Sequence, residues 1–204
     1  MKFYWSPTSP FVRKVSVTAR ELGLFDRLTV IPTRVDPTAP DTAYAAINPY
    51  MKVPSLVTDD GLTLFGSSVI CQYLDTLHDG PPLVPHAGRA RWETLRLEAI
   101  ADGLLEAAVL VRSETLFRPP ERRHAPWLDG QVAKVSHGLA LLESWAPRVD
   151  TPLTLGHLAV GCALGWLEFR QPAGDPRPAC PALFAWYDRL RVRPSFTASM
   201  PVAS

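Results

Sequence analysis

The stretch that decides the fold is Ser6-Pro7-Thr8-Ser9-Pro10-Phe11-Val12-Arg13-Lys14, which follows a strand predicted at Lys2 to Trp5. Proline suits the first position of a helix, because its φ is fixed and its missing N–H would have no intrahelical partner there. We therefore predict a helix that begins at Pro10 and ends near Gly23. Its buried face is predicted from apolar residues at helical spacing: Phe11, Val15, Ala19 and Leu22.

Two hydroxyl side chains, those of Thr8 and Ser9, lie at the start of this helix. The first turn of a helix has backbone N–H groups without partners, and the positive end of the helix dipole lies there, so negative charge is favoured. Serine is also a common residue at the N-cap, where its hydroxyl satisfies the backbone. The segment therefore predicts either an anion site or an ordinary helix cap.

The run from Thr8 to Lys14 resembles the active-site turn of bacterial glutathione S-transferases, and Ser9 occupies the position at which glutaredoxins and omega-class transferases carry cysteine. Further segments resemble the same family in the same order: Asn48-Pro49 with Lys52-Val53-Pro54-Ser55-Leu56, Gly66 to Leu74, Thr154 to Ala159, and Arg193 to Phe196. Together they cover nearly the whole length. The resemblance implies a thioredoxin-like α/β domain, with the order βαβ-ββα, followed by an all-helical bundle domain.

The pattern of the chain indicates the same division without the resemblance. Strand and helix signals alternate in the first part, which is typical of an α/β layer. The predicted strands are Lys2 to Trp5, Leu28 to Ile31, Ser55 to Thr58 and Leu62 to Phe65, and the helices are those from Pro10, around Asp41 to Ala46, and from Ser67. Asp59-Asp60-Gly61 between the last two strands is a hairpin turn signal.

The remainder of the chain is predicted to be helical. One pattern runs from Arg89 to Ser113, with an inner face predicted at Trp92, Leu95, Ala99 and Ile100. A second repeats at Val132, Val135, Leu139 and Leu142. We therefore predict an α/β domain at residues 1–78, a linker rich in Pro and Gly at 79–87, and an all-helical domain at 88–204.

The composition excludes several classes of function. The chain has 204 residues, of which 47% are hydrophobic and 20% charged, with a net charge of +1. This balance is ordinary for a soluble protein and gives no reason to expect nucleic acid or an anionic membrane as a partner. The longest apolar run, Leu158 to Leu167, is too short to cross a bilayer, and the N-terminus enters a strand at once. A cytoplasmic location is therefore expected.

The cysteines Cys71, Cys162 and Cys180 form neither a CxxC pair nor a metal-like spacing. We therefore expect no disulfide framework and no metal site. Cys71 and Cys162 lie on apolar helical patterns and are predicted to be buried.

The resemblance implies that the chain stabilises the thiolate of glutathione. A thiol with a pKa near 8.5 is only a few per cent ionised at neutral pH. A hydroxyl donating to the sulfur, together with a helix N-terminus, would lower that pKa. We predict Ser9 as this donor, with Thr8 as the second candidate. Tyr4 is a third, because it loosely resembles the strand tyrosine of tyrosine-type transferases, although packing in the core is the simpler interpretation.

The glutathione-binding residues implied by the resemblance are Phe11, Lys52, Val53, Pro54, Gly66, Ser67 and Asp102. A cis bond before Pro54 would leave the backbone of Val53 to pair with the cysteinyl part of glutathione. Ser67 would hold the γ-glutamyl carboxylate at a helix start. Lys52 would meet the glycyl carboxylate or remain a solvated lysine.

Gly66 departs from the family pattern, in which an acid or amide receives the γ-glutamyl ammonium at this position. Glycine has no side chain to do so. The implied substitute is Asp102 of a partner subunit in a homodimer, and the alternative is that Asp102 is a local charge on a helix surface.

The function implied is conjugation of glutathione, a co-substrate, to a small electrophile, with a role in detoxification. The second substrate is expected near Leu110, Ser113, Phe117 and Trp166. A non-catalytic member of the same fold, which binds a small molecule or a protein partner, is the alternative that Gly66 favours. Glutathione-dependent disulfide exchange is disfavoured, because Ser9 replaces the cysteine which that chemistry requires.

A capping box is predicted in the helical domain, with Thr154 as the N-cap and His157 at the third helical position, where the family carries Asp. A neutral imidazole nitrogen can accept a hydrogen bond from the Thr154 N–H, but an imidazolium cannot. We therefore predict a depressed pKa for His157. The alternative is that His157 points to solvent and caps nothing.

Overall fold

The structure is a computed structural model that describes residues 1–146 and 152–201. The chain divides into two compact units: Met1–His86 together with the C-terminal stretch from Pro194, and Ala87–Arg193. The stretch from Pro194, which the sequence assigns to the helical domain, is grouped with the first unit. Seven α-helices are described in these ranges: α1 (Pro10–Glu21), α2 (Ser67–Leu74), α3 (Gly88–Phe117), α4 (Ala125–Trp145), α5 (Leu155–Arg170), α6 (Pro181–Leu190) and α7 (Pro194–Thr197).

The first unit is built on a mixed sheet of four strands in the order β2-β1-β3-β4. The strands are β1 (Lys2–Trp5), β2 (Thr29–Pro32), β3 (Ser55–Val57) and β4 (Thr63–Phe65). β1 runs parallel to β2 and antiparallel to β3, and β3 runs antiparallel to β4. The predicted thioredoxin-like domain followed by a helical domain is therefore confirmed.

Helix α1 begins and ends as the sequence predicts. Pro10 is its first residue and Ser9 its N-cap. At the other end, Gly23 has a φ of +68°, and its N–H donates to the Arg20 carbonyl while the Leu24 N–H donates to the Ala19 carbonyl. These two bonds form a Schellman motif, which requires a residue in the left-handed region and so explains the glycine.

Helix α1 is more buried than its predicted apolar face requires. Val15 and Ala19 are fully buried, whereas Phe11 and Leu22 are only half-buried. The charged residues Arg13 and Lys14 are also buried.

Short helix α7 packs onto α1, which explains why the C-terminal stretch belongs to the first unit. Phe196 is fully buried. Its carbonyl accepts a hydrogen bond from Nη2 of Arg13 at 3.3 Å, and the Arg13 guanidinium lies 5.5 Å from the centre of its ring. The Ser195 hydroxyl donates to the carboxylate of Glu21.

The β3–β4 hairpin turns at Gly61, as predicted. Gly61 has a φ of +90° and donates its N–H to the Thr58 carbonyl at 3.1 Å. The Thr58 N–H donates a hydrogen bond to the Leu62 carbonyl at 2.9 Å, next to this turn.

All three cysteines are buried and free of disulfides.

The second unit is organised around α5, whose residues are buried almost throughout from Leu155 to Leu167. Helix α3 packs against both α4 and α5. The prediction for the inner face of α3 is wrong. Trp92 is 67% exposed, and Ala99 is also exposed. The buried face instead carries Thr94, Glu98, Ala101, Leu105 and Ala108.

The reason for this difference is the close approach of α5 to α3 at Gly156. A Cβ added at Gly156 would lie 2.7 Å from the carbonyl oxygen of Thr94 and 2.8 Å from Cβ of Leu97. Only glycine permits this spacing, so the packed face of α3 begins at Thr94 rather than at the large apolar Trp92.

The predicted capping box is present at the start of α5. Nδ1 of His157 accepts the backbone N–H of Thr154 at 3.2 Å and lies 2.8 Å from the Thr154 hydroxyl. The imidazole also packs against Trp186, with ring centres 6.1 Å apart. Burial lowers the pKa of His157, as the sequence predicts.

Across the two described ranges, none of the helices is both long enough and apolar enough to cross a bilayer.

The close approach at Gly156 predicts a specific sensitivity to a methyl group. Gly156→Ala should lower the free energy of unfolding by about 1–3 kcal/mol, because the packed backbone must move. Gly103→Ala is the matched control: Gly103 also lies in a helix, but a Cβ there meets nothing within 4 Å, so alanine should stabilise by about 0.5–1 kcal/mol. Urea denaturation of both variants measures this, and equal midpoints would contradict the packing described.

The capping box predicts a dependence of stability on pH. The folded pKa of His157 lies below the unfolded value near 6.5, so the unfolded state binds more protons between the two. The contribution of His157 is therefore complete above pH 6.5 and is lost as the pH falls below it. His157→Gln keeps an acceptor at the third position without titrating, and should reduce the stability lost between pH 7.5 and 5.5 by up to about 1 kcal/mol.

Urea denaturation at the two pH values measures this difference. His137→Gln, which replaces an exposed histidine of α4, serves as the control and should leave the loss unchanged. An identical loss in the parent and in His157→Gln would show that the cap does not depend on the imidazole.

Candidate functional site

Three loop segments meet at one edge of the sheet because of the strand register. Tyr4 pairs with Ser55, and Ser55 pairs with Phe65. The end of β1, the beginning of β3 and the end of β4 therefore lie side by side. The segments attached there are Ser6–Ser9, Val53–Pro54 and Gly66–Ser67. We refer to this edge, with these three segments, as the loop edge.

Ser9 is held at the loop edge by its own helix. Its backbone is extended, with φ −80° and ψ 123°, and its Oγ accepts the Val12 N–H at 3.3 Å. This bond uses a lone pair of the oxygen, so the hydroxyl proton stays available for another partner. The hydroxyl can therefore serve as the N-cap and as a donor to an anion at the same time.

The other hydroxyl candidates differ from Ser9 in their surroundings. Thr8 is half-buried in the turn before α1. Tyr4 lies within β1, and its ring packs against Tyr44 with centres 5.3 Å apart. This contact matches the simpler interpretation of Tyr4 as a packed strand residue.

Phe11 is half-buried in the first turn of α1.

A buried polar network fixes the loop that leads into β3. Asn48 Nδ2 donates to the Lys52 carbonyl at 2.7 Å and its Oδ1 accepts the Tyr50 N–H at 3.0 Å. The Tyr44 hydroxyl lies 2.8 Å from the hydroxyl of Ser55. Burial raises the pKa of the Tyr44 phenol, which keeps this group a neutral donor.

The sequence did not reveal the parts that Tyr44 and Ser55 play in this network. The Asn48-Pro49 pair belongs to a segment that resembles the family, but it does not indicate which groups Asn48 contacts.

The backbone of Val53 is presented at the loop edge. The Val53–Pro54 peptide bond is cis, as the resemblance implies. The Val53 side chain is buried, and within residues 1–146 and 152–201 its N–H and C=O form no hydrogen bond with other backbone groups. The Lys52 side chain beside it is exposed. A ligand with an extended peptide-like segment would find both a donor and an acceptor here.

Helix α2 directs its N-terminus to the same edge. Gly66 is its N-cap and contributes no side-chain hydrogen bond, and the next residue, Ser67, is buried. The first-turn N–H groups of a helix lack intrahelical partners and favour an anion. Gly66 has φ +84° and ψ 119°, a conformation that other residues would adopt at a cost of about 1–3 kcal/mol. The backbone conformation therefore explains why residue 66 is a glycine. An acidic residue at this position would have a strained backbone.

The remaining candidate residues belong to the second unit. Asp102 is half-buried on α3. Leu110, Ser113 and Phe117 are spaced by three and four residues and share one face of that helix. Leu110 and Phe117 are 44% and 43% exposed, so they offer apolar surface. Trp166 is only 4% exposed within α5, and little of its surface is left for a ligand.

The described residues contain no cluster of His, Cys, Asp or Glu side chains with the arrangement of a metal site.

Comparison with known families assigns both units. Residues 8–77 match the glutathione S-transferase N-terminal domain, and residues 125–189 match the C-terminal domain of the same family. An uncharacterized GST-like protein, YibF of Escherichia coli K12, is 32% identical over 206 residues, which cover 98% of each chain.

Two solved structures are similar over the whole chain. One is a glutathione transferase family member from Pseudomonas fluorescens Pf-5 with bound glutathione, which is 41% identical and has a TM-score of 0.95 with 99% of each chain covered. A second structure of a family member from that strain contains S-(propanoic acid)-glutathione, with 39% identity, a TM-score of 0.90 and full coverage of both chains.

Proposed function

The chain belongs to the glutathione S-transferase family, and on this premise we propose that it joins the thiolate of glutathione to a small electrophile. The observation that carries the proposal is the hydroxyl of Ser9, which caps α1 by accepting the Val12 N–H and retains its proton as a donor. A donor at a helix N-terminus is the arrangement that stabilises a sulfur anion.

The energy required is within reach of these groups. Lowering the pKa of a thiol by about two units from 8.5 corresponds to roughly 2.7 kcal/mol of preferential stabilisation of the thiolate. A charge-assisted hydrogen bond contributes about 1.5–3 kcal/mol, and a helix N-terminus adds about 0.3–1 kcal/mol. Ser9 and α1 together would therefore make the thiolate the major form at neutral pH.

The rest of the loop edge supplies groups for each part of the tripeptide. The cysteinyl residue of glutathione would pair with the N–H and C=O of Val53 in the manner of a strand. The γ-glutamyl carboxylate would bind at the N-terminus of α2, beside Ser67. The exposed ammonium of Lys52 would meet the glycyl carboxylate. The glutathione bound to the relative from Pseudomonas fluorescens supports this choice of ligand.

Gly66 leaves the γ-glutamyl ammonium without a side-chain acceptor, and a lost charged hydrogen bond costs about 1.5–3 kcal/mol. We propose that the protein is a homodimer in which Asp102 of the other subunit receives this ammonium. The exposed aromatic side chains Tyr50 and Trp92, at 68% and 67% exposure, are available for contacts between subunits.

Gly66 also favours a second candidate function, a family member that binds a ligand or a protein without catalysis. Turnover separates the two functions, because only the first needs the thiolate.

The reaction needs no redox partner. The thiol proton passes to solvent, the thiolate sulfur forms a bond to the electrophilic carbon, and the leaving group departs with its electron pair. We propose that the electrophile lies against Leu110, Ser113 and Phe117, with at most an edge contact to Trp166. The propanoic acid group on glutathione in the second relative supports a small substituent. Detoxification in the cytoplasm is the corresponding role.

Removal of the Ser9 hydroxyl tests the proposal. Ser9→Ala should lower kcat for the transfer of glutathione to 1-chloro-2,4-dinitrobenzene at least tenfold, because the thiolate loses its donor. The Kd for glutathione, measured by calorimetry, should change much less, since Ser9 contacts only the sulfur. Thr8→Val is the matched comparison in the same turn and should change kcat less than threefold.

Equal rates for Ser9→Ala and the parent would move the donor role to Thr8 or Tyr4. Binding of glutathione without any turnover by the parent would favour the non-catalytic function.

A further inference from the structure

Two arginines of the second unit, Arg112 on α3 and Arg170 at the end of α5, lie on helices that pack against each other. Both side chains are half-buried. Burial lowers the pKa of Arg170, and the positive charge of Arg112 lowers it further. The two guanidinium groups therefore repel each other in surroundings where water screens them incompletely.

Helix geometry places the two residues near each other. Gly156 near the start of α5 approaches Thr94 and Leu97 near the start of α3. Arg170 lies 14 residues after Gly156, which is about 21 Å along α5. Arg112 lies 15 residues after Leu97, which is about 22 Å along α3. Because α5 packs along α3 from a contact near the start of both helices, we infer that the two helices run in the same direction and bring these two residues to the same level.

Arg112 and Arg170 also lie on the sides of α3 and α5 that face each other. Arg112 follows Thr94 by 18 residues, about five complete turns, so it continues the packed face of α3. Arg170 is about 40° from the direction of Gly156 around α5, at 100° per residue. The two guanidinium groups thus lie at the end of the seam between α3 and α5.

The carboxylates next to these arginines in the sequence are engaged elsewhere. Glu114 pairs with Arg118 at 3.2 Å, and Glu168 pairs with Arg177 and Arg191 at 2.5 and 2.9 Å. Within residues 1–146 and 152–201, neither Arg112 nor Arg170 takes part in an ion pair. The partial negative charge at the C-terminus of α5 stabilises the positive charge of Arg170. Arg112 lies before the last turn of α3 and gains no such stabilisation from its own helix.

We propose that Arg112 and Arg170 form a binding site for the carboxylate of a small aromatic or aliphatic acid. Two guanidinium forks present paired N–H donors that match the planar carboxylate, and a bound anion removes their repulsion. The ring of Phe169 lies 4.3 Å from the Arg170 guanidinium and gives the site an apolar wall.

A pair of probes that differ only in charge tests the site without requiring turnover. 4-Chloro-3-nitrobenzoate and its methyl ester are titrated by calorimetry into the full chain in the absence of glutathione. The acid should bind the parent at least tenfold more tightly than the ester. Arg112→Gln and Arg170→Gln should each weaken the acid at least fivefold and leave the ester within twofold.

Arg189→Gln is the matched control, because Arg189 lies in the last turn of α6 as Arg170 does in α5. It should bind both probes as the parent does. A melting temperature raised by the acid in the parent but not in Arg112→Gln/Arg170→Gln would support the site by a second measurement.

Equal affinities of the parent for acid and ester, no binding of either probe, or unchanged acid affinity in the double variant would each overturn the proposal. Displacement of the acid by inorganic phosphate at a lower concentration than the acid itself would overturn the assignment to carboxylate. The proposed transferase function is judged separately, by turnover of 1-chloro-2,4-dinitrobenzene in the parent and in Ser9→Ala.

Discussion

The register of β1, β3 and β4 is the constraint on which the candidate site depends. The pairing of Tyr4 with Ser55, and of Ser55 with Phe65, brings three loops to one edge of the sheet. A shift of one residue in either pairing would turn the buried side chains of a strand to its other face. The Asn48, Tyr44 and Ser55 network holds the loop before β3, so the Val53 backbone has a fixed position relative to the strands. The loop edge is thus assembled from backbone and short polar groups on a rigid sheet.

The second unit depends on a different constraint, the absence of a side chain at Gly156. Because α5 contacts the backbone of α3 there, the two helices pack closely against each other, and the polar residue Thr94 lies in their seam. The same contact determines which residues meet at the other end of the seam. Arg112 and Arg170 are brought together by the packing of the two helices, and their mutual repulsion is a cost that a bound anion would relieve.

The sequence predicts well where the structure is determined locally. Pro10 and Gly23 bound α1 because a missing N–H and a left-handed φ are properties of single residues. Gly61 and the capping box of Thr154 with His157 are short-range features of the same kind. The predictions fail where distant residues decide. The apolar character of Trp92 predicts that it lies on the inner face of α3, but the close approach of Gly156 places Thr94 there instead.

The candidate site shows the same division. The family pattern predicts Val53, Pro54 and Ser67 as site residues because they lie in short motifs. It does not predict the partners of Asn48, because Tyr44 and Ser55 meet Asn48 only in the folded loop. In the sequence, Gly66 stands where the family carries an acid or amide. Its φ of +84° favours glycine at this position, and the sequence does not show this backbone conformation. Arg112 and Arg170 are separated along the chain and carry no motif.

We propose that the loop edge lowers the pKa of the glutathione thiol. The direct measurement is a pH titration of the ultraviolet thiolate absorbance of glutathione bound to the parent protein at saturation. We expect a pKa about two units below the free value near 8.5, so that the thiolate is the major bound form at pH 7. A bound thiol that titrates at the free value, or glutathione that does not bind at all, would contradict it.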